Sequence, residues 1–96
     1  MFKRYSLDFE YYFDEELGQT HIEKHSVNEL EIFEFFTEIM YFERERKDNS
    51  FVGIGKLHSG RYLQVVYRKK SPELYFIITA YDIVDPNIID FINERI

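Results

Sequence analysis

The sequence predicts an α+β domain in which two helices, following a first short strand, precede an antiparallel sheet of four to five strands, with a last helix packed on that sheet. Three observations carry this. Apolar positions recur at three- to four-residue spacing through residues 27–40, the pattern of a helix with one buried face. From residue 41 the period shortens to two, the alternation of half-buried strands, and turn-forming clusters divide the stretch at 47–50 (KDNS), 58–60 (HSG) and 71–73 (SPE). With 96 residues, 45% apolar and 19% aromatic, the chain can bury one core but not two, so residues 1–96 read as a single domain.

Residues 5–13 (YSLDFEYYF) roughly alternate Phe and Tyr with polar positions and predict the first strand. Residues 14–24 (DEELGQTHIEK) open with acidic side chains that suit a helix amino terminus, although Gly18 weakens the interior, and predict a short helix. Ser26, with Glu29 three residues on, reads as a capping box that starts a second helix at Val27. Val27, Leu30, Phe33, Phe36 and Met40 would form its buried face, and Glu31, Glu34 and Glu38 its wet one.

Strands follow at residues 41–46, 51–57, 61–69 and 74–81 as an antiparallel meander. Gly53-Ile54-Gly55 lies inside the second of these and points to close backbone packing or a bulge rather than a phosphate loop. Asp85-Pro86 offers an N-cap with proline at the first helical position, and Ile88, Ile89 and Ile92 supply an apolar face for the final helix. Helices that precede a run of strands pack on one side of an antiparallel sheet and leave its other face available.

The absence of cysteine means that nothing depends on disulfides or on a thiolate zinc site, which fits a reducing cytoplasm. The opening MFKRYSLDFEYYF has no uninterrupted apolar stretch of a secretory leader, and the longest apolar run elsewhere, residues 74–78, falls far short of the ~20 residues that cross a bilayer. Secretion and membrane insertion are therefore not expected.

The net charge of −6 argues against a polyanionic ligand, but the average conceals a partition. Residues 1–43 hold three basic and eleven acidic side chains, residues 44–70 eight basic and two acidic, and residues 71–96 one basic and five acidic. The central segment is expected to present a basic surface built from Arg44, Arg46, Arg61 and the Arg68, Lys69, Lys70 cluster. Arg44 and Arg46, two apart on a strand, share a face and could grip adjacent phosphates; the competing reading is edge-strand charge that discourages aggregation. Arg68, Lys69 and Lys70 also read as a solvated hairpin tip. His21 and His25 have an i, i+4 spacing, but no HExxH turn accompanies them and no metal site is expected.

The segments HIEKHSV (residues 21–27), Gly55, GRYL (60–63) leading into VVY (65–67), and IITA (77–80) occur in the order seen in one family. From about residue 8 to residue 82 the chain resembles the BrnT-like toxins of bacterial toxin–antitoxin pairs, small relatives of the RelE ribonuclease fold. In that family an early Asp, a Lys-His-Gly-Val-like helix start, a strand ending in Gly, a Gly-Arg-x-Leu hairpin and an Ile-Ser-Ala-Arg-like strand follow one another. The resemblance implies a cytoplasmic endoribonuclease that needs no cofactor and is held inactive by a cognate antitoxin. It leaves the oligomeric state open, a homodimer among the options.

Metal-free RNA cleavage needs a base for the 2′-hydroxyl, positive charge on the scissile phosphate and a proton for the leaving oxygen. The resemblance places Lys24 and His25 at the family's helix-start motif and Arg61 in its hairpin. The strand pattern and the charge partition add Tyr67 as a further acid–base candidate and Arg44, Arg46, Arg68, Lys69 and Lys70 as RNA contacts. His25 equally suits a helix boundary and Lys24 a solvated charge, while most of the Phe and Tyr side chains must be core. Tyr81 stands where the family has a strand-end Arg, and acidic residues 82–96 replace a basic helix. Those departures support an alternative, a non-catalytic protein-binding module of the same fold.

Overall fold

Strand formation follows the period-two pattern, and in the computed structural model, which describes residues 7–96, the elements run β1 (Asp8–Tyr11), β2 (Phe13–Asp14), β3 (Gln19–Thr20), α1 (His21–Lys24), α2 (Glu29–Thr37), β4 (Tyr41–Glu45), β5 (Phe51–Lys56), β6 (Tyr62–Ser71), β7 (Leu74–Asp82) and α3 (Pro86–Arg95). The large sheet has the order β1-β7-β6-β5-β4. Its four meander strands pair antiparallel as expected, but β1 lies parallel to β7, with Asp8 opposite Leu74 and Tyr11 opposite Ile77. The sheet is therefore mixed rather than antiparallel. Positions 5 and 6 of the expected first strand fall outside the described residues.

The helix expected over residues 14–24 is instead a tight β2–β3 hairpin followed by the single turn α1. The Asp14 carboxylate accepts from the Glu16 and Leu17 amides, and Gly18 takes a φ of 67° that closes the turn. An Asp that bonds to amides two and three residues on favours a turn over a continuing helix.

The second helix starts two residues later than expected. Asn28, not Ser26, is the N-cap: its side chain accepts from the Glu31 amide at 2.8 Å, and the Glu31 carboxylate accepts from the Asn28 amide at 3.1 Å. Ser26 lies before it with a φ of 60°, a left-handed conformation. Replacing Asn28 by Ala is expected to cost about 1 kcal/mol in denaturant unfolding, while Ser26→Gly leaves stability unchanged or raises it. A larger loss at Ser26 than at Asn28 would restore the expected cap.

The buried face of α2 differs as well. Ile32, Phe35 and Phe36 enter the core, whereas Leu30 is 79% exposed, Phe33 48% and Met40 58%. Val27 is buried, but it precedes the helix, so it does not fix the helix's phase. On the sheet side the core is made of Leu63, Val65, Tyr67, Ile77 and Ala80, with Phe9, Tyr41, Phe51 and Tyr75 around them. Gly53 and Gly55 admit α2 to close range: a Cβ at Gly53 would meet the Phe35 ring at 3.2 Å, and one at Gly55 would meet Ile39 Cδ1 at 2.8 Å.

Alternation fixes the two faces. Tyr41, Glu43, Gly53, Gly55, Leu63, Val65 and Tyr67 face α2, while Phe42, Arg44, Val52, Ile54, Gln64 and Tyr81 face the opposite side, where α3 packs. Helices thus cover both faces of the sheet, not one. Asp85 caps α3 through the Asn87 amide with Pro86 next to it, and Ile92 is fully buried, as the sequence predicts. No helix among the described residues is long and apolar enough to cross a membrane.

Candidate binding groove

The face opposite α2 carries two cross-strand rows. Phe42, Ile54, Gln64 and Tyr81 stand side by side across β4, β5, β6 and β7, and Arg44, Val52 and Val66 form the next row. Above them α3 is held by the Phe42 and Phe91 rings, edge to face at 5.5 Å between centroids, and by the Tyr62 hydroxyl donating to Asn93 Oδ1 at 2.8 Å. Between helix and sheet lies a groove of about 690 Å³. Phe42, Val52, Ile54, Ile88 and Phe91 make it apolar, and Gln64, whose amide donates to the Tyr81 hydroxyl at 2.6 Å, makes part of its floor polar.

Arg44 on the edge strand and Arg46 just past its end line the same groove, and among the described residues neither forms an ion pair. The rest of the central cations are distributed differently. Arg68 bonds the Asp48 carbonyl at 2.7 Å, Lys69 bonds Glu43 at 2.6 Å on the α2 side, and Lys70 bonds Glu10 at 2.7 Å. The expected continuous basic surface does not form, because neighbouring residues of a strand point to opposite faces and most of the cations meet carboxylates.

Arg61 is engaged more completely. Its Nε and NH2 donate to the two Asp82 carboxylate oxygens, its NH1 to both Glu31 oxygens at 3.0 Å and to the Ser26 carbonyl, and its NH2 also to the His25 carbonyl. It ties the α1–α2 junction to the ends of β6 and β7. The Arg61 guanidinium holds the Asp82 carboxyl below the usual carboxylate range. Tyr67 is fully buried, and its hydroxyl donates to Glu43. Burial first, and then the Glu43 carboxylate, push its ionisation far up, so it remains a neutral donor.

Lys24 is exposed at the end of α1, and His25 caps it, exposed, with its ring 5.7 Å from that of Tyr81. His21 turns away to Asp14 and to the Tyr12 ring. His25 thus stands beside β7, whereas Arg44 belongs to β4 and Arg46 follows its end, three strand spacings or about 14 Å across the sheet. A base and a phosphate-gripping cation that act on one bond need to meet within hydrogen-bond reach of it.

The structure therefore brings together Arg44, Arg46 and an apolar floor, and separates them from Lys24, His25, Arg61 and Tyr67. Phe42, Ile54, Gln64 and Phe91 join the site without having been singled out from the sequence, and Ile88, expected only as part of the apolar face of the final helix, joins them. The signal that could have found Phe42 is its two-residue spacing from Arg44, which places both on one face. Comparison with known proteins returned no matching family model, no matching curated protein and no matching solved structure.

Proposed function

We propose that the chain is a BrnT-like protein of RelE type that works by holding a protein partner in the groove beneath α3, not by efficient RNA cleavage. One observation carries this reading. Among the described residues Arg44 and Arg46 form no ion pair beside an apolar groove, while Arg61 and Tyr67 engage their polar groups inside the fold. In the toxin–antitoxin setting that the resemblance implies, the partner is the antitoxin. An acidic protein with a basic-rimmed apolar groove selects a ligand that is both apolar and acidic.

Backbone geometry supports the resemblance itself. Ser26, at the position of the family's Lys-His-Gly-Val glycine, has the left-handed φ that glycine adopts most readily. Gly60, in the Gly-Arg-x-Leu hairpin, has a φ of 94°.

A second reading, the endoribonuclease toxin, draws on the His25, Tyr81 and Gln64 cluster at the β7 end of the groove. The two readings part in one experiment on purified chain. The expected result is no cleavage of labelled RNA above background, together with capture of the product of the adjacent gene that weakens about tenfold or more in an Arg44→Glu, Arg46→Glu double variant. RNA cleavage abolished by His25→Ala or Tyr81→Phe would overturn the binding reading in favour of the enzyme.

A further inference from the structure

The binding groove is open on one side, along β4, which ends the strand order and, among the described residues, has no neighbour beyond it. The phase of its backbone can be read from the turn that follows. The Arg46 amide donates to the Ser50 carbonyl at 2.7 Å, which makes residues 46 and 50 a hydrogen-bonded pair. By alternation Arg44 with Val52 and Phe42 with Ile54 belong to the same class, and their backbone groups turn toward β5. Tyr41, Glu43 and Glu45 therefore turn their N–H and C=O groups outward along the open edge.

Those outward backbone groups belong to residues whose side chains lie on the α2 face. There Glu43 is bonded to Lys69 and to Tyr67, which leaves Glu45 as the carboxylate of this edge without an ion pair among the described residues. The α3 face of the same edge presents Phe42, Arg44 and Arg46 in succession at every second residue.

We infer that the groove's ligand is an extended acidic segment of a partner protein that adds as a strand to the open edge of β4, its alternate side chains reading an apolar position against Phe42 and acidic positions against Arg44 and Arg46. This deepens the binding reading and rests on it. Main-chain hydrogen bonds to Tyr41, Glu43 and Glu45 supply affinity, and the alternate pockets supply selectivity. The intervening positions face Glu45 and must be neutral or basic. The recognised pattern is thus apolar-x-acid-x-acid, or its reverse when the added strand runs the other way.

The test uses a fluorescent palindromic peptide, Asp-Thr-Asp-Thr-Leu-Thr-Asp-Thr-Asp, which presents the pattern in either direction, and follows its anisotropy with the whole protein. Saturable binding is expected that weakens about tenfold or more in the Arg44→Glu, Arg46→Glu double variant and falls with added salt. Both arginines are exposed, so the variant should keep the wild-type unfolding midpoint. A peptide of the same composition with its acids adjacent should bind clearly less well. N-methylating one alternate set of amides should abolish binding, while methylating the other set spares it. If both methylated peptides bind like the parent in an arginine-dependent way, the strand inference falls and the groove reading stands. If the probe fails to bind while an RNA oligomer binds through Arg44 and Arg46, both fall; absence of any saturable binding likewise overturns the strand inference.

Discussion

Replacing Phe35 by alanine is expected to remove about 3–5 kcal/mol of unfolding free energy, the range of large-to-small changes in a packed core. Phe35 is fully buried, its ring packs edge to face on Phe36 at 5.0 Å and lies against Tyr41, and Gly53 and Gly55 leave room for it. The cavity would sit between helix and sheet, above Gly53 and Gly55. Phe33→Ala, two residues away, is expected to cost less than about 1 kcal/mol because half of that side chain is already in water. Small domains are stable by only about 5–15 kcal/mol, so the first variant loses much of its margin and the second very little. Urea unfolding of the pair decides the matter: similar losses would mean that the buried face of α2 has been assigned wrongly.

Substituting Arg61 by Ala is expected to cost about 2–3 kcal/mol, since the change strips hydrogen bonds from two carboxylates and two carbonyls in a partly buried junction. The pH dependence is more specific than the loss itself. Asp82 titrates below its ordinary value in the folded protein, so around pH 4 the unfolded chain binds more protons. The Arg61–Asp82 contribution is therefore complete above the ordinary carboxylate range and disappears as pH falls through the lowered value. Wild-type stability should drop on acidification below about pH 4, and the variant should drop less steeply. The acid branch will persist in part, because Asp14 and Asp48 are also held low, chiefly by the Leu17 amide and the Ser50 hydroxyl. An unchanged acid branch in Arg61→Ala would show that the Asp82 pair contributes nothing to stability.

The meander and the final helix were legible because their signals are local: turn clusters at 47–50, 58–60 and 71–73 bound the strands, and Asp85-Pro86 starts α3. The phase of α2 was not legible, because ELEIFEFFTEIM holds two apolar stripes at helical spacing, Leu30–Phe33 and Ile32–Phe35–Phe36–Ile39. Only the sheet decides between them, through the space above Gly53 and Gly55. The start of α2 was ambiguous for a similar reason, since Ser26 and Asn28 can each cap and each has a Glu three residues on. Parallel pairing of β1 with β7 joins distant segments and leaves no local trace. For the site, the spacing of Arg44 and Arg46 correctly placed them on one face. The pairing of Arg61, Lys69 and Lys70 with carboxylates far along the chain could not be seen in a charge count.

The pairing of β1 with β7 also sets an order of events during folding. β4 to β7 can zip together through short turns, but β1 must wait for a partner from near the other end of the chain, so its closure entropy is the largest in the sheet. During synthesis the segment that becomes β1 emerges early and stays unpaired until residues 74–82 have followed it. Phe9 and Tyr11, which finish the core beside Tyr75 and Ile77, therefore lack these neighbours until that segment has been made.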